Sequence, residues 1–312
     1  MPELPEVEVV RRGLAEHVLG AEFTATEVLH PRANRGQEGS LPALLQNAVI
    51  TGVGRRGKYL WLNLGDSWDS EDAGNTGDAV AGGETRGVDK QPAEGGGHEG
   101  TALFVHLGMS GQMLVGEPGK VTSPHLRIRS ELRTPTGELL ELAFVDQRTF
   151  GRWLHTETTP GGVPEPAAHV AMDPLEAGFD PVATARKIRT KRSEIKRVLL
   201  DQTVVSGIGN IYADEALWAA RVKPMRRASA LRQRDVLNLL VESRAVMERA
   251  LAAGGTSFDS LYVNVNGASG YFSRSLNVYG QEGEPCPRCG TPIRRVMWTN
   301  RSTHFCPECQ VL

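Results

Sequence analysis

The sequence opens with Met1-Pro2-Glu3-Leu4-Pro5-Glu6-Val7-Glu8, a stretch that predicts both a helix and a reactive group. Proline fits the first helical position, where its fixed φ helps and its missing N–H costs nothing, so we expect the helix to start at Pro5. The apolar residues that follow keep helical spacing until Gly20, a plausible C-terminal stop: Val7, Val10, Leu14 and Val18. This helix should pack one face on a core and direct its N-terminus at a ligand.

The residue after the initiator is itself a candidate nucleophile. Methionine before a small residue is normally removed, so we expect Pro2 to become the N-terminus and to expose a secondary amine. An α-amino group has a pKa of about 7.7–8.0 against about 10.4 for lysine, so far more of it is neutral at pH 7. Its attack on a sugar C1′ or an aldehyde carbon gives an iminium ion, which is an electron sink for covalent catalysis. Glu3, just outside the helix, is the candidate acid/base, while Glu6 and Glu8 in the first turn can complement the helix dipole.

This N-terminal heptapeptide, Pro2 to Glu8, resembles that of the formamidopyrimidine-DNA glycosylases, bifunctional enzymes that excise oxidised purines and then nick the strand. The related endonuclease VIII branch typically has glycine in place of Leu4, which favours the oxidised-purine branch. The resemblance implies that Pro2 is the nucleophile and Glu3 its proton-transfer partner.

The overall charge balance hides a strongly acidic segment. The chain of 312 residues, long enough for about two domains, has 35 basic and 37 acidic residues. Nine of the acids and only two of the bases lie in residues 66–100, so the remainder is modestly basic, which is compatible with phosphate binding. The Gly-rich segment 66–100 has few large apolar residues and is predicted to be a disordered insertion between two strands. No apolar run reaches the length of a membrane span and no signal peptide is evident, so we expect a cytoplasmic protein.

Short alternating segments predict a β-sandwich in the first domain, residues 1–157. The expected strands lie near residues 23–29, 49–53, 59–64, 102–107, 126–132 and 139–145. Lys58 enters one of them within Gly54-Arg55-Arg56-Gly57-Lys58-Tyr59-Leu60. A lysine there is usually a solvated edge charge, but the segment resembles the family's second essential motif, whose lysine lies in the active site. We therefore count Lys58 among the catalytic residues.

Three loop residues match the family's void-filling trio: Met109, Arg148 and Phe150. An enzyme that acts on a base must take it out of the stack, and apolar wedges can then fill the space it leaves. The resemblance implies this role for the three side chains. The family commonly has proline where this chain has Gln147 and arginine where it has Thr149.

A helical domain is expected after a Pro- and Gly-rich linker, residues 158–180. We predict a helix-two-turns-helix DNA-binding domain at residues 181–265. The run from Arg186 to Arg197 has seven bases against Glu194, which suggests a phosphate-facing stripe that includes Lys196. Ser206-Gly207-Ile208-Gly209-Asn210-Ile211-Tyr212 resembles the family's helix-two-turns-helix signature, which implies that Asn210 holds a phosphate. An isolated asparagine there would otherwise be a helix N-cap.

The C-terminal segment, residues 266–312, predicts a β-hairpin zinc finger. Its cysteines form two Cys-x-x-Cys pairs separated by sixteen residues: Cys286, Cys289, Cys306 and Cys309. Four thiolates satisfy the tetrahedral geometry of one structural Zn²⁺ and leave no open ligand position. Arg301, at the expected hairpin tip, matches the family's phosphate-gripping arginine. Residues 264–273 match the family's loop over the extruded base, and none of them is given an individual role.

The sequence thus predicts an α+β protein with an N-terminal helix and β-sandwich, a helix-two-turns-helix domain and a zinc finger. By resemblance, it is a monomeric glycosylase and abasic-site lyase of base excision repair that acts on oxidised purines in double-stranded DNA. Excision would proceed through an N-terminal proline Schiff base, followed by β,δ-elimination. Two alternatives stay open at this point: an endonuclease VIII-like glycosylase for oxidised pyrimidines, and a non-catalytic damage-binding zinc protein.

Overall fold

The N-terminal helix joins two separate hydrophobic cores. The computed structural model describes residues 2–66, 98, 100–255, 275–298 and 300–311. Helix α1 spans Leu4–Val18, one residue earlier than predicted. Leu4 packs in the core of the helical domain, whereas Val7, Val10, Leu14 and Val18 pack in the core of the sheet domain. The first turn of α1 therefore lies at the junction of the two domains.

Among its described residues, the first domain also contains eight strands and a short helix, α2 (Leu41–Leu45). The strands are β1 (Glu22–Val28), β2 (Val49–Arg56), β3 (Tyr59–Gly65), β4 (Thr101–His106), β5 (Gly111–Gly116), β6 (Leu126–Arg133), β7 (Leu139–Asp146) and β8 (Arg152–Glu157). Six of them were predicted. The segments of β5 and β8 were not, because glycines flank the first and the second begins within a turn motif.

The eight strands form a sandwich, as predicted. Their order is β5-β7-β6-β1-β2-β3-β4-β8, and β1 meets β2 through the single register pair Glu22 and Val49. The sheet is therefore divided into two four-stranded halves, β5-β7-β6-β1 and β2-β3-β4-β8, which are joined only at this pair. Phe144 on β7 and Trp153 on β8 are remote in the strand order, yet their ring centroids lie 5.9 Å apart, because the halves pack face to face.

The described part of the second domain contains four α-helices: α3 (Pro181–Thr190), α4 (Ile195–Leu199), α5 (Asn210–Ala219) and α6 (Gln233–Ala252). Asp180 caps α3 through the backbone N–H groups of Val182 and Ala183. A short 3₁₀ turn, Ala228–Ala230, precedes α6. Together these helices hold α5 in the middle of the domain, with its N-terminus facing α1.

A two-stranded hairpin ends the described structure, with β9 at Arg294–Trp298 and β10 at Arg301–Phe305. Within the described residues, no helix combines the length and apolar character needed to cross a membrane. Most of the predicted insertion, residues 67–97 and 99, lies outside the described residues. So does the predicted loop over the extruded base, residues 264–273.

Candidate active site at the domain junction

A cavity of about 420 Å³ lies between the two domains and the hairpin. Each part of the chain contributes a predicted site residue to its wall: Pro2 and Glu3 from the N-terminus, Lys58 from the sheet domain, Asn210 from α5 and Arg301 from β10. Five residues from four separate parts of the sequence, each singled out for chemistry, therefore line one cavity. Tyr59, His106, Gln202 and Tyr279 also contribute to it.

The Glu3 carboxylate occupies the N-terminus of α5. Its oxygens accept hydrogen bonds from the backbone N–H groups of Gly209 (2.9 Å), Ile211 (2.9 Å) and Tyr212 (3.2 Å). The first N–H groups of a helix have no partner within it and carry the positive end of its dipole, so they form an anion site. Glu3, which belongs to the other domain, fills this anion site.

The two glycines of the turn are needed because α1 lies against them. Gly207 has a φ of +85°, and a Cβ there would overlap the side chain of Leu4. A Cβ on Gly209 would overlap the carboxyl carbon of Glu3. Gly209 is the N-cap, and Asn210 is the first residue of α5.

Burial shapes the protonation of the site. Desolvation raises the pKa of the buried Glu3 carboxyl, while the Lys58 ammonium partly opposes this rise. Burial lowers the pKa of Lys58, and the Glu3 carboxylate opposes that change. The Lys58 Nζ donates to the carbonyl oxygen of Ile208 at 3.0 Å. Each group therefore moves the other toward its charged form, and Glu3 still retains protons more readily than an exposed glutamate.

Lys58 lies in the turn between β2 and β3, and a buried ion-pair network holds that turn. The Asp173 carboxylate accepts from the Gly57 N–H at 2.9 Å and from the Arg55 guanidinium at 2.6 Å. Arg55 also donates to Glu8 at 2.8 Å. These bonds fix the backbone from which the Lys58 side chain projects. Glu8 is thus a structural group, as its position in the first helical turn suggested.

Glu6 links the start of α1 to α5. Its carboxylate accepts from the Glu3 backbone N–H at 2.8 Å and from the Tyr212 hydroxyl at 2.7 Å. Helix dipole complementation, the simple interpretation of an acid in the first turn, therefore gives an incomplete account of Glu6. Its two bonds hold Glu3 and the α5 backbone at a fixed separation.

The predicted wedge residues occupy two neighbouring turns. The Arg148 guanidinium lies 3.7 Å from the Met109 sulfur, and the Phe150 side chain is 46% exposed. Thr149 between them has a φ of 54°, an uncommon conformation for a β-branched residue. Met109 and Arg148 are therefore in direct contact, whereas Phe150 projects into solvent.

A buried aspartate and an exposed arginine hold these turns. Asp146 accepts from the Ser110 hydroxyl at 2.6 Å and from the Gly151 N–H at 2.7 Å. Arg35 donates to the carbonyl oxygens of Phe150 (2.8 Å) and Gly151 (2.9 Å). The sequence analysis missed both residues, and only the position of Asp146 beside the turn motif could have suggested one of them.

Lys196 does not belong to an exposed phosphate-facing stripe, and that part of the prediction was wrong. Its side chain is buried, and its Nζ lies 2.6 Å from the Asp214 carboxylate. The ammonium also donates to the Ser302 carbonyl and the Thr303 hydroxyl of β10. A buried ammonium requires a carboxylate partner, and Asp214 on α5 supplies it. Lys196 therefore attaches the hairpin to the helical domain.

Asn210 makes a second link to the same strand, because its Nδ2 donates to the Ser302 carbonyl oxygen at 2.9 Å. Arg301 precedes this anchored residue, has an exposed side chain and lines the cavity. The hairpin is thus held at Ser302, one residue from the predicted phosphate-binding arginine. Contact of Asn210 and Arg301 with phosphate stays a prediction.

The four cysteines fit a zinc ion. Their sulfur atoms all lie within 4.8 Å of one another, with Cys286 to Cys309 at 3.9 Å and Cys289 to Cys306 at 3.5 Å. Tetrahedral Zn²⁺ with Zn–S bonds of about 2.3 Å places its sulfurs about 3.8 Å apart. The Trp218 indole N–H on α5 donates to the Cys286 sulfur at 3.3 Å, and the Arg288 guanidinium stacks 4.2 Å from the Trp218 ring centroid. The predicted single structural zinc site agrees with this arrangement.

Another acidic residue of α5 positions the chain that enters the finger. The buried Glu215 carboxylate accepts from the backbone N–H groups of Asn277, Val278 and Tyr279. Glu3, Asn210, Asp214, Glu215 and Trp218 together make α5 the element on which all parts of the site converge. The sequence analysis did not single out Asp214 or Glu215.

Fold and site define a class: a two-domain protein with a helix-two-turns-helix domain and a four-cysteine zinc finger, in which the N-terminus enters a cavity at the domain junction. Three family descriptions match this chain in order. The formamidopyrimidine-DNA glycosylase N-terminal domain matches residues 1–153, the H2TH domain of the same family matches 170–261, and a zinc finger found in FPG and IleRS matches 283–311. The chain belongs to the formamidopyrimidine-DNA glycosylase family.

Individual relatives agree with this assignment. The formamidopyrimidine-DNA glycosylase of Corynebacterium urealyticum is 54% identical over 320 residues, covering 99% of each chain. A Lactococcus lactis Fpg variant in complex with Fapy-dG-containing DNA superposes with a TM-score of 0.78 at 28% identity, covering 100% of both chains. The wild-type L. lactis Fpg bound to DNA containing an oxidised pyrimidine gives a TM-score of 0.78 at 29% identity and the same coverage.

Proposed function

We propose that the protein is a bifunctional DNA glycosylase and abasic-site lyase that excises oxidised purines, 8-oxoguanine and formamidopyrimidines, from double-stranded DNA. One observation carries the proposal: Pro2 and Glu3 share a cavity with Lys58, and the α5 N-terminus fixes the Glu3 carboxylate there. A nucleophile beside a buried acid of raised pKa is the pairing that this excision needs.

The chemistry starts after removal of Met1, when the Pro2 nitrogen is a free secondary amine. It attacks C1′ of the extruded nucleotide, and Glu3, a carboxyl whose pKa is raised by burial, donates a proton to the sugar ring oxygen. The C1′–O4′ bond breaks as its oxygen is protonated, the C1′–base bond breaks with its electron pair on the base, and the departing base takes up the proton that the Pro2 amine releases. The ring-opened sugar remains attached to Pro2 as an iminium ion.

The iminium ion then draws electrons from the sugar and acidifies the proton on C2′. The Glu3 carboxylate takes that proton, and the 3′ phosphate leaves in β-elimination. A second elimination releases the 5′ phosphate. The expected product is a one-nucleotide gap with phosphate at both ends.

The remaining site residues hold DNA. Met109, Arg148 and Phe150 fill the space left by the extruded base, and their turns are fixed by Asp146 and Arg35. Lys58, Asn210 and Arg301 contact the phosphates that flank the lesion. Zinc, when bound by the four cysteines, supplies structural order to the hairpin that presents Arg301. Because its substrate is chromosomal DNA, we place the protein in the cytoplasm on the nucleoid.

An oxidised-pyrimidine glycosylase is the second candidate, and one observation favours it. The L. lactis relative has been captured with DNA containing an oxidised pyrimidine, so the shared fold accepts such a base. Leu4, which the sequence analysis associated with the oxidised-purine branch, packs in the helical core against Gly207 and does not line the cavity.

Single-turnover excision rates separate these candidates. Matched duplexes containing either 8-oxoguanine opposite cytosine or thymine glycol are incubated with excess protein, and the products are resolved on a denaturing gel. The proposal predicts faster cleavage of the 8-oxoguanine duplex, with phosphate at both new ends. Preferred cleavage of thymine glycol would support the second candidate, and binding without cleavage of either duplex would support a non-catalytic damage-binding protein.

A further inference from the structure

Glu3 has to donate a proton in the proposed reaction, yet much of its surroundings favours the charged carboxylate. Its oxygens accept hydrogen bonds from three backbone N–H groups at the start of α5, those of Gly209, Ile211 and Tyr212. A carboxylate that accepts several such bonds is stabilised in its ionised form, and the positive end of the helix dipole acts in the same direction. Burial and the neighbouring Glu6 carboxylate oppose these effects by raising the pKa of Glu3. An added charge in the cavity can therefore shift the balance between the two forms.

Basic side chains from three other elements face Glu3. Lys58, in the turn between β2 and β3, opposes the rise of the Glu3 pKa, and its Nζ donates to a backbone carbonyl oxygen at 3.0 Å. Lys196 on α4 also interacts with Glu3, but its ammonium is paired with the Asp214 carboxylate at 2.6 Å. Arg301 on β10 lines the cavity and has an exposed side chain. Lys58 and Arg301 therefore keep positive charge available to an anionic ligand in the cavity.

Other titratable groups also surround Glu3. Within the described structure they are the Pro2 amine, Glu6 and Tyr212 beside it, and His106 and Tyr279 on the cavity wall. The Tyr212 hydroxyl donates to Glu6 at 2.7 Å and is therefore protonated. Desolvation and two nearby arginines lower the pKa of His106, which favours its neutral imidazole. The Pro2 amine and His106 are thus further groups that can bind a proton near neutral pH.

A phosphate docked on Lys58 and Arg301 brings a negative charge into this cavity. A cavity of about 420 Å³ has the volume of a sphere about 9 Å across, so a phosphate in contact with both basic groups lies within roughly that distance of the Glu3 carboxyl. Charges this close and partly buried are screened little by salt. A nearby negative charge disfavours the ionised form of an acid, and this one also offsets the Lys58 charge that favours it. The docked phosphate therefore raises the pKa of Glu3.

We propose that the DNA phosphate docked on Lys58 and Arg301 causes Glu3 to bind the proton that it then donates to the sugar ring oxygen. This inference rests on the proposed function for the phosphate contacts and for the acid role of Glu3. Solvent supplies the proton, and its uptake accompanies DNA binding before any bond of the nucleotide breaks. Without DNA, the α5 N–H groups favour the carboxylate, which joins the two domains. The substrate itself thus converts this structural anion into an acid.

Isothermal titration calorimetry measures the proton uptake directly. The full chain with Pro2 exposed is titrated with a short duplex that contains a central tetrahydrofuran residue, an abasic analogue without a base to expel. Repeating the titration in buffers of different ionisation enthalpy gives the number of protons bound per complex. We expect a net uptake of at most about one proton, greatest at a pH between the pKa of Glu3 in the free protein and its pKa in the complex. The uptake should decrease at lower and at higher pH.

Neutral linkages in the DNA test the role of the phosphate without any change in the protein. Methylphosphonates in place of the two phosphates that flank the tetrahydrofuran residue remove their charge, and the uptake should fall by more than half. The same replacement at both ends of the duplex is the matched control and should leave the uptake unchanged. The proposal is overturned if the flanking replacements leave the uptake at the value of this control.

Variants of the protein identify the group that binds the proton. Glu3→Gln should bind the duplex without the uptake, whereas His106→Gln should retain it. Uptake of the parent size in Glu3→Gln would assign the proton to the Pro2 amine, Lys58 or His106 and would overturn the proposal. If the parent protein excises no lesion from damaged duplexes, the proposed function is wrong. If it excises them but shows no uptake that depends on the flanking phosphates, only this inference is wrong.

Discussion

Glu3 and Gly209 lie in van der Waals contact across the domain junction, so that residue 209 has no room for a side chain. The Gly209 N–H donates to the Glu3 carboxylate at 2.9 Å. The first residues of α1 and the first turn of α5 are therefore fixed relative to each other. This contact places the proposed acid beside the proposed nucleophile.

A methyl group at residue 209 should displace Glu3. The φ of Gly209 is −117°, which alanine adopts freely, so Gly209→Ala changes the contact and not the backbone preference. We expect the excision rate to fall by roughly 100-fold, because small misplacements of a catalytic group cost that much. Single-turnover kinetics measure the effect. Gly116→Ala, whose Cβ meets nothing within 4 Å, is the control, and an unchanged rate in Gly209→Ala would refute the positional argument.

The pH dependence of excision should report the interaction between Glu3 and Lys58. Glu3 donates its proton, so the rate falls as pH rises through its pKa. The Lys58 ammonium lowers that pKa, and its removal in Lys58→Met should therefore move the falling limb to higher pH. Lys58→Arg keeps the charge and should keep the limb near its original position. Rates normalised within each profile allow the comparison even if Lys58→Met is slow. A shift to lower pH would contradict the assignment.

Glu8 should stabilise the fold in a pH-dependent manner. Hydrogen bonds and ion pairs with Arg11, Arg55 and Arg12 outweigh desolvation and lower its pKa to about 2. A lowered carboxyl pKa contributes stability that is fully present above its ordinary value of 4.5 and is lost as pH falls toward 2. Glu8→Gln should therefore lower the free energy of unfolding by about 2 kcal/mol at pH 7, allowing for solvent screening, and by little near pH 2.

Urea unfolding at pH 7 and at low pH measures this difference. Glu138→Gln changes an exposed carboxylate and provides the matched control. Equal destabilisation of the Glu8 variant at both pH values would show that its ion pairs are not the source of the stability.

Zinc should be required for DNA affinity and not for the sheet domain. Cys289→Ser should lose the single zinc ion per chain, which a colorimetric chelator assay measures after unfolding. The hairpin that carries Arg301 then loses its order, and affinity for lesion DNA should fall by roughly tenfold or more, the energy of a charge-assisted hydrogen bond. Far-ultraviolet circular dichroism, which reports the strands of the sheet domain and the helices, should change little. Full affinity in a zinc-free variant would contradict the role of the finger.

The sequence was informative where a residue type has a single chemical meaning. Four cysteines at metal spacing predict their site directly, and Pro2, Glu3, Lys58, Asn210 and Arg301 meet in one cavity as expected. Local alternation also predicted most of the sandwich. These inferences depend on short-range sequence patterns that can be recognised without knowledge of the tertiary structure.

Burial and long-range pairing could not be predicted in this way. Lys196 looks like its exposed neighbours, and only its contact with Asp214, eighteen residues later, shows that it is internal. Asp173 lies in the predicted linker, yet it holds the Lys58 turn more than a hundred residues earlier. The segment Ser206–Tyr212 predicted a phosphate contact through Asn210, but the binding of its backbone N–H groups to Glu3 depends on the packing of two domains.

Borohydride trapping tests the central claim most directly. The protein with Pro2 exposed is mixed with duplex DNA containing 8-oxoguanine and sodium borohydride, and the covalent adduct is digested and mapped by mass spectrometry. We predict an adduct on the nitrogen of Pro2, which persists in Lys58→Met and disappears when an additional residue precedes Pro2. An adduct of equal yield on the N-terminally extended chain, or one that maps to a lysine such as Lys58, would contradict the account.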